Sequence, residues 1–243
     1  MQLTGPEIQC RRQIPNSSNP NKHPDIVITP FFEECLGSNS YDLHLAPTLK
    51  VYKHTIPDGM NPIIEYNPNK KLNMRDWFND PWAYEDYTLR PLNYDIRNPK
   101  FLLDPAKQNE TMEIKIPKSG AILNPCIGYL GSTIEYTETY NLFPYIDGKS
   151  SIGRNFILNH HTAGRGDDGF CGNWTLEIRT MYPTVVYPGM RIGQIYYEQF
   201  VGSRKPYHKN NASHYRNQAG ATAAAPVPVD ACILQYMKEQ NML

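Results

Sequence analysis

The chain has 243 residues, with 24 Lys and Arg against 24 Asp and Glu, so its formal net charge is zero. This balance argues against a general binder of nucleic acid or of membrane surfaces, because such binders need a basic excess. Its length and its hydrophobic fraction of 40% allow one large domain with its own core. Abundant Pro, Gly and Tyr favour short strands joined by turns.

The cysteines argue against a disulfide scaffold and against a zinc knuckle. They stand at positions 10, 35, 126, 171 and 232, and no two are spaced as Cys-x-x-Cys. The N-terminal residues lack the apolar stretch of a secretory signal, and no segment approaches the ~20 apolar residues of a membrane span. We therefore expect a soluble, cytoplasmic protein with neither a membrane nor a nucleic-acid partner.

The first half of the chain predicts few regular elements. A Thr-x-x-Glu capping box at residues 4–7 predicts a short helix that ends at about Arg12. Residues 40–53 alternate apolar and polar side chains and predict one or two strands. Residues 54–110 are rich in Pro, Asn and Asp, and we interpret them as a long irregular insertion with one short helix near 71–79.

From residue 111 the chain predicts a series of short strands that Gly and Pro separate. In one of them, Trp174, Leu176 and Ile178 fall on one face, whereas Thr175 and Glu177 fall on the other. Short strands at close spacing with turn residues between them are typical of a β-sandwich or barrel.

Two features end the chain. The segment 220–229 consists of small residues and prolines, and we expect it to leave the globule. Residues 230–243 then predict a short helix. Its apolar face, with Ile233, Leu234 and Met237, is interpreted as packing on the same subunit or on a neighbouring one.

The segment GKSSIGR, residues 148–154, groups hydroxyls, backbone N–H groups and two cations directly after a turn. Such a group of donors can bind a phosphate or an oxyanion. A solvated turn that leads into a strand explains the same residues at least as well. The adjacent His160 and His161 would point to opposite faces of a strand, so we expect structural or surface roles rather than a shared metal ion.

Two further features allow more than one interpretation. Glu177 lies on the strand face opposite Trp174, where a lone carboxylate is usually solvent-exposed and becomes a catalytic candidate only if that face lines a pocket. Residues 205–222 are polar, basic and aromatic, which fits a mobile lid over an anion or an exposed tail, and composition alone favours the tail. The sequence lacks the P-loop, GxSxG, HExxH and zinc-deaminase signatures.

Four segments, in this order, resemble the dCTP deaminase family within the trimeric dUTPase superfamily. They are GKSSIGR at 148–154, HHTAGRGDDGFCGNWTLEI at 160–178, YPGMRIGQ at 187–194 and KPYHKNNASHYRNQAGAT at 205–222. The resemblance implies a mostly β fold, a distorted jelly-roll-like barrel. It also implies a homotrimer whose active sites are shared between subunits.

The resemblance organises the chain as one domain over residues 1–225. Within it, 54–110 forms the irregular insertion and 205–222 forms a C-terminal lid, and residues 226–243 follow as a tail. The insertion and the tail exceed the compact core of the family.

Site roles follow from the resemblance by position. Glu177 matches the catalytic carboxylate, and Ser150 and Arg154 match residues of the reacting centre that a neighbouring subunit contributes. The positions that match substrate-binding residues are Lys149 and Ser151 near the phosphates, Ala163 at the attacking water, Asp167 at the sugar 3′-hydroxyl, Thr175 and Leu176 at the base, and Tyr207, His214 and Gln218 on the lid.

The activity that this resemblance implies is metal-independent hydrolytic deamination of dCTP to dUTP and ammonia, which feeds thymidylate synthesis. One carboxylate can move the protons at the water and at the pyrimidine. Mg²⁺ is expected to arrive on the nucleotide phosphates, and no zinc is needed. The resemblance also makes dTTP a candidate inhibitor.

Two alternatives stay beside this activity. The Thr-Ala-Gly at 162–164 resembles bifunctional members, which convert dCTP to dUMP, ammonia and pyrophosphate. A catalytically silent nucleotide-binding or structural trimer is the other alternative. Two departures favour caution: His214 stands where a phosphate-binding Lys is usual, and Asp168 adds an anion beside the proposed sugar site.

Overall fold

The computed structural model describes residues 1–14, 24–56, 59–79, 102–161, 163–203, 205–207, 214–227, 229–240 and 242. Thr162 and the centre of the predicted lid lie outside the described residues. The helices are α1 (Gly5–Gln13), α2 (Ser150–Gly153) and α3 (Ala231–Glu239). The strands are β1 (Ile26–Thr29), β2 (Tyr41–His44), β3 (Thr48–Tyr52), β4 (Ile63–Glu65), β5 (Thr111–Lys115), β6 (Ala121–Leu123), β7 (Tyr129–Thr139), β8 (Phe143–Gly148), β9 (Ile157–Leu158), β10 (Cys171–Thr180), β11 (Thr184–Val186) and β12 (Arg191–Glu198).

Antiparallel pairing arranges these strands in three sheets. The largest has the order β5-β3-β7-β10-β9, and β1 pairs with β7 in addition. The two smaller sheets have the orders β11-β6-β4 and β2-β12-β8. The fold is therefore mostly β, a curled half-barrel, which confirms the predicted fold class.

Strand β10 has the alternation that its sequence predicts. Trp174, Leu176 and Ile178 are buried in the core at 7%, 1% and 0% exposure. Thr175 and Glu177 are half-buried on the opposite face. Because side chains on a strand alternate between its two faces, filling the core with the first set leaves the second set free to line a site.

Helix α1 begins where the capping box at residues 4–7 predicts. The side-chain oxygen of Thr4 accepts a hydrogen bond from the backbone N–H of Glu7 at 3.4 Å. Arg11 then bonds to Glu7 at 2.7 Å and to the buried Asp25 at 2.9 Å, just before β1. The pair with Glu7 lies within the helix, and the pair with Asp25 attaches the helix to the large sheet.

Part of the predicted insertion belongs to the core. Residues 59–79 supply β4 to one of the small sheets and bury Met60, Trp77 and Phe78. The hydroxyl of Tyr129 in β7 donates to the carbonyl of Pro62, and burial raises the pKa of this hydroxyl well above its usual value. The hydroxyl therefore stays protonated, as a donor must.

The short helix predicted near 71–79 is a single 3₁₀ turn, Met74–Trp77. A capping box between Asn73 and Asp76 begins this turn. Lys70 bonds to the Asp76 carboxylate, and the backbone and side-chain bonds together lower the pKa of that carboxyl group. The composition of this region indicated irregular structure, but it did not show that an aromatic side chain at its end enters the core.

Replacing Trp77 tests whether this segment stabilises the domain. Trp77 is 1% exposed, so Trp77→Ala is expected to lower the free energy of unfolding by about 3–5 kcal/mol through lost burial and a residual cavity. Tyr236→Ala is the control, because that side chain is 55% exposed and its loss should cost less than about 0.5 kcal/mol. Urea unfolding at one fixed protein concentration compares them. A Trp77→Ala protein as stable as the Tyr236→Ala protein would contradict the packing.

The expectation that 220–229 leaves the globule is wrong for its first residues. Ala221 is 5% exposed, and the backbone N–H of Thr222 donates to the Thr175 hydroxyl at 3.1 Å. The N–H of Ala224 donates to the Tyr52 hydroxyl at 3.1 Å, and that of Val227 to the carbonyl of Pro105 at 2.7 Å. Small side chains let this backbone lie close to the sheet, which composition alone does not distinguish from a linker.

Helix α3 follows with its apolar side chains on the surface. Ile233, Leu234 and Tyr236 are 50%, 36% and 55% exposed, and none of its residues is buried. The packing partner that the sequence predicts for this face is therefore not found within the described residues of the same subunit. No helix in the described part of the chain is long and apolar enough to cross a membrane.

Candidate active site

A cavity of about 340 Å³ lies between β10, the loop before it and the C-terminal segment. Six of the residues predicted from the resemblance line it: Ala163, Asp167, Thr175, Glu177, Tyr207 and Gln218. Its apolar walls include Leu130, Phe170 and Trp174, and Tyr52 and Tyr215 add further aromatic surface. This volume lies in the range of small-molecule sites, and apolar walls with a few polar groups are typical of such sites.

Hydrogen bonds hold Glu177 in place through both its carboxylate and its backbone. Its Oε2 accepts a hydrogen bond from the backbone N–H of His161 at 2.9 Å. Its own backbone N–H donates to the carbonyl of Asn159 at 2.9 Å. A carboxylate fixed in this way on a strand face that lines a cavity meets the condition under which Glu177 becomes a catalytic candidate.

The edge of β10 beside Glu177 offers backbone groups to the cavity. The N–H of Asn173 donates to the Gln218 carbonyl, and the N–H of Glu177 donates to Asn159, both on the side away from β7. Strand alternation puts the N–H and C=O of Thr175 on this same edge, between those two contacts. A flat heterocycle in the cavity could pair with them.

Leu176 cannot bring its side chain to a bound base. That side chain is 1% exposed on the core face of β10, and Leu176 does not line the cavity. The side chain of Thr175 faces the cavity, and its Oγ1 accepts the N–H of Thr222. Of the two predicted base contacts, Thr175 therefore presents its side chain to the cavity, whereas the side chain of Leu176 is buried in the core.

The loop before β10 lies tightly against β8. The backbone N–H of Ile146 donates to the carbonyl of Gly164 at 2.7 Å, and the N–H of Gly166 donates to that of Pro144 at 2.8 Å. A Cβ atom at Gly164 would lie 2.3 Å from the backbone oxygen of Ile146. A side chain at this position would therefore force the loop away from β8.

Asp168 does not add the anion that the sequence suggested beside the proposed sugar site. It is 4% exposed, and its Oδ1 accepts the backbone N–H of Asn141 at 2.7 Å. Asp168 is absent from the residues that line the cavity, whereas Asp167 is exposed and lines it. The turn therefore directs the side chains of Asp167 and Asp168 apart, and of the two only Asp167 lines the cavity.

The C-terminal segment covers the cavity from the side of β10. Gln218 forms a parallel bridge to Gly172, and its side-chain amide donates to the carbonyl of Asn173. Tyr207 contributes its hydroxyl, which accepts the backbone N–H of Tyr215 at 3.1 Å. The part of 205–222 that the structure describes is therefore a cover over the cavity rather than an exposed tail.

His214 is exposed and does not line the cavity, unlike the lid residues Tyr207 and Gln218. Its ring contacts that of Tyr215 edge-on, with 6.2 Å between the centroids. In this arrangement the position expected at the phosphates does not reach the site.

The Ser150 segment lies apart from this cavity. Ser150, Ser151 and Arg154 are exposed on and after helix α2, and none of them lines it. Lys149 is bound instead by Asp42, with its Nζ 2.7 and 2.6 Å from the two carboxylate oxygens. Ser150, Ser151 and Arg154 thus lie exposed at the surface of one subunit, whereas Lys149 is half-buried against Asp42.

A second cavity of about 430 Å³ adjoins the first at Glu177, which lines both together with Tyr52 and Leu130. His161 and Arg179 supply its basic side chains. The prediction that His160 and His161 stand in a strand is wrong, because both follow β9 in a loop. The loop conformation is what allows the His161 N–H to reach Glu177.

The sequence missed several residues that shape the site. Arg165 lines the first cavity, and its guanidinium lies 4.6 Å from the Phe143 ring centre. Tyr52 and Tyr215 also line it, and they are far apart in the sequence. The arginine was visible in the motif before Asp167, but nothing in the sequence connected Tyr52 to residues in the last thirty positions.

Comparisons with known proteins show the family of this chain. A model of the dCTP deaminase-like family matches residues 17–200. The protein named dCTP deaminase, dUMP-forming, from Clostridium acetobutylicum is 35% identical over 196 residues, covering 81% of this chain and 85% of the relative. The protein of the same name from Cytophaga hutchinsonii is 43% identical over 138 residues, covering 54% of this chain and 80% of the relative.

A solved structure of 2′-deoxycytidine 5′-triphosphate deaminase from Agrobacterium tumefaciens is also similar. It covers 81% of this chain and 47% of its own, at 16% identity and a TM-score of 0.47. The present chain thus spans about half the length of that protein, and a likeness at this score supports no conclusion about the site.

A mostly β half-barrel with a carboxylate at the wall of a largely apolar cavity has the features of a small-molecule site. The family match extends over more than half of the chain, and the relative from Clostridium acetobutylicum matches over most of both chains. The chain belongs to the dCTP deaminase-like family.

Proposed function

We propose that this protein converts dCTP to dUMP, with release of ammonia and pyrophosphate. The relatives from Clostridium acetobutylicum and Cytophaga hutchinsonii carry the name dUMP-forming. They favour the bifunctional alternative over the dUTP-forming activity, which the sequence alone put first. Two water molecules are consumed, one at the base and one at the phosphates.

The observation that carries this proposal is the position of Glu177. Its carboxylate lines the cavity beside the backbone edge at Thr175 and is oriented by the N–H of His161. A cytosine that pairs with this backbone edge would present its C4 atom near that carboxylate. Proximity and fixed orientation are what a proton-transfer group needs.

The first hydrolysis needs one group that moves several protons. Glu177 takes a proton from the water as the water oxygen bonds to C4, and it passes that proton to N3. Glu177 then takes the remaining proton from the new C4 hydroxyl and passes it to the exocyclic nitrogen. The C4–N4 bond breaks as the C4 carbonyl forms, and the nitrogen leaves as ammonia. The carbonyl of Ala163, at the cavity wall, would accept a hydrogen bond from the attacking water.

We propose that Ser150 and Arg154 complete the site from a neighbouring subunit of a homotrimer. The side chains of Ser150, Ser151 and Arg154, on and directly after α2, are exposed in the single subunit. Their hydroxyl and guanidinium donors would balance the charge that develops during the reaction. An interface between subunits would also exclude water from the site.

The second hydrolysis cleaves the bond between the α- and β-phosphates, and water supplies the new oxygen of dUMP or of pyrophosphate. The Thr-Ala-Gly at 162–164, which resembles that of bifunctional members, supports this step, and the close contact of Gly164 with Ile146 leaves no room for a side chain there. Mg²⁺ would come bound to the phosphate oxygens and supply charge neutralisation there. We propose cytoplasmic nucleotide metabolism as the setting, and dTTP as a ligand to test for inhibition.

One incubation tests the proposal. Purified protein is incubated with dCTP and Mg²⁺, and nucleotides are separated by chromatography while ammonia and pyrophosphate are measured. Equal amounts of dUMP, ammonia and pyrophosphate are expected, with little free dUTP. Accumulation of dUTP would establish deamination alone, and unchanged dCTP would support the silent trimer. Added dUTP shows whether the second hydrolysis proceeds from a free intermediate.

A further inference from the structure

Asn159 is a buried amide side chain between the two groups of proposed catalytic residues. It is 3% exposed, and its Nδ2 donates to the backbone carbonyls of Asp147 at 3.1 Å and of Ile192 at 3.4 Å. Its own backbone carbonyl accepts the N–H of Glu177 at 2.9 Å. One residue thus connects β8, β12 and β10.

Two glycines make the space for this amide. Gly148 and Gly193 are paired across β8 and β12. A Cβ atom at Gly193 would lie 2.4 Å from the Asn159 Nδ2, and one at Gly148 would lie 3.7 Å from its Oδ1. The amide occupies the position that a side chain on Gly193 would need, so its place in the fold is defined closely.

The contacts of Asn159 lie next to both groups of proposed catalytic residues. Strand β8 ends at Gly148, directly before Lys149 and Ser150. The bond from Asn159 to Asp147 therefore fixes the end of β8 from which the Ser150 segment starts. The hydrogen bond from the Glu177 N–H to the Asn159 carbonyl fixes the backbone that carries the proposed catalytic carboxylate.

We infer that Asn159 is a positioning residue that holds Glu177 and the Ser150 segment in one rigid arrangement. This inference rests on the proposed function. In the proposed trimer, Glu177 serves the subunit's own site, whereas Ser150 and Arg154 serve a neighbour's site. Asn159 then links two active sites through one residue, with its side chain bound to β8 and β12 and its backbone carbonyl bound to Glu177.

Asn159→Ala removes both hydrogen bonds of the side chain. The backbone carbonyl of residue 159, which accepts the Glu177 N–H, is then held less firmly. We expect kcat for dCTP to fall about tenfold or more, because small displacements of catalytic groups are costly to rate. KM should stay within about twofold, because the cavity walls that bind the nucleotide are unchanged. Rates are expressed per folded trimer, so a loss of folded protein alone does not alter them.

Asn109→Ala is the matched control. The amide of Asn109 also donates to two backbone carbonyls, those of Asp104 at 2.9 Å and of Lys107 at 3.2 Å, but both lie in its own loop. Its replacement should leave kcat and KM at wild-type values. A fall in kcat for this control equal to that for Asn159→Ala would remove the special role of Asn159.

Gly193→Ala gives an independent test that does not depend on the folding of Asn159→Ala. The added methyl group should displace the amide and lower kcat by a similar factor. In the double variant the space is already vacant, so the two losses should not multiply. Losses that multiply, or an Asn159→Ala protein with wild-type kcat, would overturn the inference. A wild-type protein that turns over no dCTP would instead contradict the proposed function.

Discussion

Glu177→Gln is expected to abolish turnover of dCTP while the protein still folds and binds the nucleotide. The amide has the size of the carboxylate, and its oxygen can still accept the His161 N–H, so the local structure should persist. An amide cannot take a proton from water at neutral pH, and the loss of a positioned acid or base costs about 10²–10⁴-fold in rate. Ammonia release under saturating dCTP measures the loss.

Glu113→Gln is the control for this experiment, because Glu113 is exposed on β5, away from the cavity. Its kcat should equal that of the wild type. Calorimetric titration of the inactive Glu177→Gln protein with dCTP should still show binding, and the KM of Glu113→Gln should equal that of the wild type. Turnover of Glu177→Gln within about tenfold of wild type would contradict the assignment of Glu177 as the proton-transfer group.

Mixed trimers of Glu177→Gln and Arg154→Gln subunits should regain activity that neither variant has alone. Arg154 is exposed and does not line the cavity that holds Glu177, which is the arrangement expected if a neighbour uses it. A site is intact when its Glu177 comes from one variant and its Arg154 from the other. In a cyclic trimer that contains both variants, one site of the three is therefore intact, so trimers purified through both tags should regain about a third of the wild-type activity.

The measurement uses co-expressed subunits with two different affinity tags, purified through both tags. Glu177→Gln mixed with the double variant Glu177→Gln/Arg154→Gln is the control, since no subunit then has the carboxylate and no activity should return. If the mixed trimers were as inactive as the parents, sharing of sites between subunits would be excluded. The test thus examines whether subunits share their sites, separately from the role of Glu177 in proton transfer.

The proposed site follows from local sequence to a limited extent. The motif around Glu177 predicted both a buried face of β10 and a polar face, because period-two alternation is a property of a few neighbouring residues. Six of the residues assigned by resemblance do line the cavity. The resemblance also assigned His214 and Lys149 to the nucleotide, whereas the structure has His214 outside the cavity and Lys149 paired with Asp42.

The remaining features depend on contacts between distant parts of the chain. Trp77 lies in a segment whose composition indicated a loop, yet it is buried because β4 joins the sheet of β6 and β11. Asp168 turns to Asn141 rather than to the site. Neither outcome is encoded in the residues next to it, since both depend on which surfaces meet when the chain folds.

By itself the sequence determined the mostly β class, the strand alternation and the family motifs, because spacing and residue type act over short distances. Only the tertiary structure decided that Glu177 faces a cavity and that residues 214–227 cover it. Ala224, for example, donates to the Tyr52 hydroxyl, a contact across more than half of the chain. Such contacts follow from close packing of the whole fold, which no local pattern specifies.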